Sequence, residues 1–147
     1  NILNFGGGGG PGKQLVIFVP GNLTIKGDIK ISNAEPNFLA FIVKGNIQID
    51  GSVKANNFNS PNLEGVFITD GQFKTGISNN QLYLRGSVVA WAEDCGESCA
   101  GIVLERTYES RSNPPDPAEL FEYNIDLLLN APSLFTPGKL IWQEVGV

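Results

Sequence analysis

The chain has 147 residues, and 10 basic against 15 acidic side chains give it a net charge of −5. This length fits one domain with a sizeable core, and the negative charge argues against nucleic acid or an anionic membrane as a partner. Its apolar runs fall well short of the ~20 residues that a membrane helix needs, so we expect no membrane span in this chain. Histidine is absent, which excludes catalytic systems of the Ser-His-Asp and Cys-His types.

The first residues predict a flexible, glycine-rich arm over 1–12. Ile2, Leu3 and Phe5 form an apolar, strand-prone segment, and five glycines follow at 6–10. A strand on such a tether can pair with a sheet edge, which makes these three side chains candidate assembly residues; the alternative is that they cap their own core. The glycine run nearly matches a phosphate-binding loop, but Gln14 stands where that loop needs a hydroxyl group. We therefore expect no nucleotide and no other cofactor.

A repeat then organises residues 13–106. It reads LVIFVPGNLTIKGDI at 15–29 and LAFIVKGNIQIDGSV at 39–53, which places Gly45 24 positions after Gly21. Alternating apolar and polar residues are typical of strands with one buried face, and units of this kind bury that face by stacking on one another. The residues predicted to stack are Leu23 over Ile47, Ile25 over Ile49, and Ile29 over Val53.

A third copy is longer and interrupted. It reads GVFITDG at 65–71 and resumes after an insertion as LYLRGSVV at 82–89, with Gly86 in the position of Gly51. The fold class is all-β, and we predict a parallel β-solenoid (β-helix) of about three irregular turns. An antiparallel β-sandwich is the alternative, because it also has short strands and frequent turns. The gapless spacing of the first two copies favours the solenoid.

Two cysteines and several Asn-rich turns bear on compartment and metal binding. Cys95 and Cys99 are separated by three residues, a spacing that suits neither a zinc site, which wants about four ligands, nor a CxxC redox motif. We predict a local structural disulfide, which implies an oxidising, extracytoplasmic setting. Asn1 is not an initiator Met, which fits a processed chain whose export signal or anchor is removed. Carboxylates are sparse beside the Asn-rich turns at 32–37 and 56–62, so we predict no metal site, with calcium as the alternative.

After Trp91 the repeat fades. The segment 101–106 predicts a last strand, and 107–147 is predicted to be a C-terminal cap or extension, since an open solenoid end exposes core and backbone. Within it, Asp116 as N-cap and Pro117 in the first position predict a short helix. The residues 139–145 predict a final strand.

Two surface chemistries stand as alternatives to a structural role. Tyr83, Trp91 and Trp142 could form a platform on which sugar rings stack, although aromatic residues in strands mostly pack in cores. Asp50 and Asp70 each follow a strand, at what reads as the same boundary of successive repeats, so a polysaccharide-acting enzyme is a third reading. Acids in turns are mostly just solvated, and we predict no catalytic residue.

The repeat also carries a family resemblance. The phrase FIVKGNIQIDGSV at 41–53 resembles the repeats of polymer-forming, bactofilin-type β-solenoids. Together with LRGSVVA at 84–90 and the ending PAELF…LLL…WQEV, the chain is more similar to secreted β-solenoid domains of bacterial surface proteins. The long third repeat, the two cysteines and the C-terminal extension depart from bactofilins. The resemblance implies a surface-displayed or filament-forming module.

These observations predict a non-enzymatic structural protein outside the cell or on its surface, as a subunit of a filament or a decoration on one. It would assemble by stacking of subunits, by addition of its N-terminal strand, or by both. Its expected partners are copies of itself, with other surface proteins or glycans as further candidates. The alternative is a carbohydrate-binding or adhesive β-solenoid module.

Overall fold

The computed structural model describes residues 2–7, 10–55, 59–92, 100–108, 116–133 and 135. These residues form an all-β structure of parallel sheets with one short helix, as the sequence predicted at that level. In chain order the elements are β1 (Ile2–Phe5), β2 (Gln14–Val19), β3 (Leu23–Ile25), β4 (Asp28–Ile31), β5 (Phe38–Val43), β6 (Ile47–Ile49), β7 (Leu63–Thr69), β8 (Phe73–Lys74), β9 (Leu82–Ala90), β10 (Ile102–Val103), β11 (Glu119–Glu122) and α1 (Ile125–Leu129).

The strands pair in three parallel ladders, and each ladder follows chain order. The first ladder joins β1, β4, the start of β7, the start of β9 and β11. The second joins β2, β5, the end of β7 and the end of β9. The third joins β3, β6, β8 and β10. Because β7 and β9 are long enough to serve two ladders, the first and second form one sheet.

The first two repeat copies stack as their spacing predicted in the third ladder. Leu23 pairs with Ile47 and Ile25 with Ile49, and both isoleucines of β6 are fully buried. The predicted pair of Ile29 with Val53 is wrong, because Ile29 pairs with Leu63 instead. The loop after β6 carries the chain past Val53 before the next strand of the first ladder begins.

The third copy is also arranged differently from its predicted alignment. Gly86 pairs with Gly65, not with the position of Gly51, because residues 84–90 of β9 pair with the whole of β7. An added Cβ at Gly86 would lie 1.9 Å from the carbonyl oxygen of Gly65, and both residues have positive φ. Only glycine allows the two backbones this approach in that conformation. The Gly-Ser-Val sequences at 51–53 and 86–88 are therefore alike without being structurally equivalent.

The helix begins later than the sequence predicted. The segment after Asp116 and Pro117 forms strand β11 in place of a helix, since it pairs with β9. Helix α1 starts after Asn124, whose side chain accepts a hydrogen bond from the Asp126 N–H at 3.1 Å. Its buried Leu127 joins the hydrophobic core, and the Phe135 ring that follows lies 5.3 Å from Phe38. The predicted strand at 139–145 lies outside the described residues.

Candidate assembly surfaces

A column of inward-facing residues runs through the first ladder and is open at both ends. Its members, in ladder order, are Leu3, Ile29, Leu63, Leu84 and Phe121. Their exposed fractions are 49%, 5%, 0%, 1% and 40% in that order. The middle of the column is core, whereas the terminal leucine and phenylalanine meet solvent. We call this set the first column.

The third ladder ends in the same way at its C-terminal side. Ile47 and Phe73 are fully buried, while Ile102, which pairs with Phe73 in β10, is 41% exposed. Leu104, just after β10, is also exposed. At the N-terminal side of the second ladder Leu15 is exposed, although its partner Leu39 is fully buried. Exposed apolar residues therefore lie at both ends of the ladders, next to the buried core residues.

The predicted assembly residues Ile2, Leu3 and Phe5 lie in β1. This strand pairs with β4 of its own chain, with Leu3 opposite Ile29 and Phe5 opposite Ile31. Ile2 and Leu3 are exposed, and they line an apolar depression with Leu23, Ile25 and Phe41 at the N-terminal end of the core. Among the described strands, β1 has no neighbour on its other side, so its outer backbone groups form a free edge.

Two charged residues mark corresponding corners of the two ends. Leu23 and Ile102 occupy the same position in the first and last strands of the third ladder. Lys26 lies three positions after Leu23, and Glu105 lies three positions after Ile102. Lys26 is exposed. The Glu105 carboxylate accepts a hydrogen bond from the Gly76 N–H at 3.0 Å, and its own N–H donates to the Thr75 hydroxyl at 2.8 Å. Glu105 is thus held in place at the C-terminal end.

The corners after β2, β5 and β7 in the second ladder contain a stack of amide side chains. The Asn46 N–H donates to the Asn22 Oδ1 at 2.8 Å, and the Gln72 N–H donates to the Asn46 Oδ1 at 2.7 Å. Glycine precedes each of these residues. An added Cβ would lie 2.2 Å from the Asn22 oxygen at Gly45, but would meet nothing within 4 Å at Gly21. Sequence reasoning missed this stack, although the 24-residue period places Asn22 over Asn46.

A buried arginine fastens the C-terminal half of the ladders. Arg106 is 6% exposed, and its guanidinium donates to the carbonyl oxygens of Val53 at 2.6 Å and Thr75 at 2.9 Å. It also reaches, at longer distances, the carbonyl oxygens of Asp50, Asn80 and Gln81. Burial lowers the pKa of this guanidinium from its ordinary value, while Glu119 and Asp50 oppose that shift. No local pattern marks this role, because the partners lie 25 to 56 positions away.

A second polar cluster ties β4, β7 and β9 together. The buried Glu64 carboxylate accepts hydrogen bonds from the Ile31 N–H at 2.9 Å and from the Arg85 Nε at 2.9 Å, and it forms an ion pair with that guanidinium. Beside it, the Tyr83 hydroxyl donates to the Glu122 carboxylate. That hydrogen bond, with burial, raises the pKa of Tyr83 above its usual value. These contacts hold strands together and leave their carboxylates already engaged.

The three aromatic residues proposed for sugar stacking lie in different surroundings. Trp91 is 69% exposed and directly follows β9. Tyr83 is buried, so its ring does not present a face to solvent. Trp142 lies outside the described residues. Of the three, Trp91 is the one that the structure shows exposed to solvent. It lies two positions after the exposed Val89 of β9, on the same outward side.

The carboxylates proposed for catalysis do not share a boundary. Asp50 follows β6 of the third ladder, where its N–H donates to the Ile25 carbonyl oxygen, whereas Asp70 follows β7 and its N–H donates to the Val43 carbonyl oxygen. The predicted equivalence of the two positions is wrong, because Asp70 aligns with Lys44, directly after β5 of the second ladder. The Ser52 hydroxyl and N–H donate to Asp50 at 2.6 Å and 2.9 Å, and they lower the pKa of that carboxyl.

The described residues bear on the metal and membrane predictions but do not include the two cysteines. Within the described ranges, no group of three or more potential metal ligands comes together. Cys95 and Cys99 lie outside the described residues, so the predicted disulfide stays a prediction. Among the helical residues that the structure describes, no helix is long and apolar enough to cross a membrane. Comparison with protein-family models, with curated proteins and with solved structures finds no match to this chain.

Proposed function

We propose that this chain is a non-enzymatic, extracellular structural protein that assembles end to end, as a subunit of a cell-surface filament or a decoration on one. The observation that carries the proposal is the first column, which is buried in its middle and exposed at both Leu3 and Phe121. Covering such apolar ends is favourable, at about 25 cal/mol for each Å² removed from water. A second copy of the chain offers the opposite end of the same ladders.

We propose that the chain forms a β-solenoid whose three faces are the three ladders. The chain enters the first, second and third ladders in that order and then returns to the first. The third ladder has four strands, so the proposed solenoid has about four turns, one more than the repeat count indicated. Parallel strands at the end of such a stack leave backbone donors and acceptors free, and another chain can pair with them.

The carboxylates support a structural role over an enzymatic one. Glu64 is paired with Arg85, Glu119 accepts hydrogen bonds from the Thr75 hydroxyl and from the Arg106 N–H, and Asp50 is bonded to Ser52. General acid–base catalysis needs groups aimed at a substrate with a suitable pKa. These side chains instead hold strands and turns of their own chain. The spacing of Cys95 and Cys99 supports the extracellular setting.

The first test compares assembly of the unaltered chain with that of Leu3→Asp. Light scattering and electron microscopy of the unaltered chain should show concentration-dependent polymers, and the charge at the end of the first column should abolish them. The control is Ile77→Asp, which places the same charge on a highly exposed apolar residue in the turn between β8 and β9. A chain that stays monomeric at every concentration would overturn the proposal.

Deletion of residues 1–10 separates stacking from strand addition. If subunits exchange β1, the truncated chain should bind a synthetic peptide of residues 1–7 but stay monomeric, because it has no strand of its own to donate to the next subunit. If they stack through complete ends, the peptide should restore polymers, because it rebuilds the missing edge opposite β4. Either result identifies the route of assembly.

A carbohydrate-binding or adhesive module is the second candidate. The observation that favours it is Trp91, whose large exposed ring directly follows a strand. Aromatic faces of this kind are common in recognition sites. Glycan-array binding that is lost in Trp91→Ala, with the chain monomeric throughout, would favour this function over the structural one.

A further inference from the structure

We propose that copies of this chain stack head to tail, with the N-terminal end of one copy on the C-terminal end of the next, in a register that sets Lys26 against Glu105. This inference rests on the proposed end-to-end assembly and adds its direction and its contacts. Among the described strands, the N-terminal end is the set of edge strands β1, β2 and β3, and the C-terminal end is formed by the end of β9, by β10 and by β11.

The register follows from the third ladder. Leu23, Ile47, Phe73 and Ile102 occupy one position in its four strands. Three residues further on, the same ladder sequence gives Lys26, Asp50, Gly76 and Glu105. If a second copy continues the ladder, its Leu23 takes the next place after Ile102. Its Lys26 then falls beside Glu105, one strand spacing away, about 4.8 Å between backbones.

The apolar ends match in the same arrangement. In the first ladder, Ile2 and Leu3 of the incoming copy follow Leu120 and Phe121, because β1 and β11 are the two ends of that ladder. The exposed Leu3 therefore meets the exposed Phe121 and closes the first column. The exposed Ile102 is covered by Leu23. Head-to-tail stacking thus buries the exposed apolar residues of each end against apolar residues of the same kind as their pairing partners inside the chain.

Charge distinguishes this direction from its alternatives. In the described part of 2–27 the charged residues are Lys13 and Lys26, a net charge of +2. In the described part of 100–124, which contains β10 and β11, there are four acids and one base, a net charge of −3; these are Glu105, Asp116, Glu119, Glu122 and Arg106. Two like ends facing each other would repel, whereas opposite ends attract, and such complementarity selects partner orientation more than it adds affinity.

Zero-length coupling of lysine amines to carboxylates tests the register directly. Polymers grown from an equal mixture of ¹⁴N- and ¹⁵N-labelled chains are treated with a carbodiimide and digested for mass spectrometry. Within one copy Lys26 and Glu105 are three strand spacings apart, roughly 14 Å, too far for such a bond. A Lys26–Glu105 peptide that combines light and heavy halves is the expected result.

The outcomes separate the direction from the assembly. Polymers without the mixed Lys26–Glu105 peptide would overturn the head-to-tail register and leave the proposed function standing. A chain that forms no polymer would overturn both. As a second measurement, Lys26→Glu should raise the critical concentration for assembly roughly 2- to 10-fold, as expected for reversal of an exposed ion pair. The control Lys44→Glu makes the same charge change at an exposed lysine after β5 and should leave it unchanged.

Discussion

The N-terminal and C-terminal halves of the ladders are held together by different means. In the first half, a regular 24-residue repeat aligns Asn22 with Asn46, and each amide side chain bonds the backbone of the next strand. In the second half, insertions break the period, and Arg106 reaches back to the carbonyl oxygens of residues far along the chain. Regular spacing lets a short amide side chain bond the adjacent corner in successive copies. Where the spacing is irregular, one long side chain bonds the carbonyl oxygens of several different turns.

Removing the arginine should have the largest effect. We expect Arg106→Met, which keeps the length of the side chain, to lower the free energy of unfolding by about 3–5 kcal/mol, because it leaves several buried carbonyl oxygens without donors. Urea unfolding of the two chains measures the difference. Lys44→Met is the control for loss of an exposed positive charge. A loss below about 1 kcal/mol would mean that water replaces the guanidinium at these carbonyls.

A matched pair of glycine substitutions examines the regular half. Gly45→Ala places a Cβ 2.2 Å from the Asn22 Oδ1, which displaces the amide and breaks its hydrogen bond to the Asn46 N–H. We expect a loss of about 1–2 kcal/mol. Gly21→Ala occupies the equivalent corner one strand earlier, where a Cβ meets nothing within 4 Å, and should change stability by less than about 0.5 kcal/mol. Equal effects in thermal or urea unfolding would show that the stack contributes nothing.

The hydrogen bond from Tyr83 to Glu122 should have the smallest effect of the three. Tyr83→Phe is expected to cost about 1 kcal/mol at neutral pH, with the exposed Tyr123→Phe as control. Because the folded-state pKa of Tyr83 is raised, this stabilisation is complete below the unfolded pKa of about 10. It is lost as the pH rises from there through the folded pKa. Urea midpoints of both chains, measured from pH 7 to pH 11, should therefore converge at the alkaline end.

The contrast between the regular and the irregular half also explains which strand pairings the sequence predicts correctly. The stacking of Leu23 on Ile47 and of Ile25 on Ile49 follows from period and alternation alone, since the gapless spacing and the alternation can both be counted in the sequence. The pairing of Ile29 with Leu63 depends on the length of the loop that follows Val53, and the spacing of the repeats does not predict where that loop ends. The strand at Glu119–Glu122 was predicted as a helix because its capping residues are favourable locally; pairing with β9 overrides them.

The sequence indicates one end of the candidate assembly site but not the other. Ile2, Leu3 and Phe5 were singled out by their apolar character next to a glycine run, and the structure places them at one end of the first ladder. The opposite end could not be predicted, because Phe121 belongs to a segment expected to be helical. Glu105 has no neighbouring motif at all. Its relation to Lys26 appears only after the strands are aligned through Ile47 and Phe73.

The pairing distances along the chain have a consequence for how the protein folds. Partners in the ladders are separated by 21 residues between Leu63 and Leu84 and by 37 between Leu84 and Phe121. Every strand contact therefore closes a loop of this size, which makes folding slow compared with a helical protein of similar length. Each strand from β4 onward finds its partner already synthesised. A chain emerging N-terminus first can thus lay one strand on the last, and β1 to β3 serve as the template for the rest.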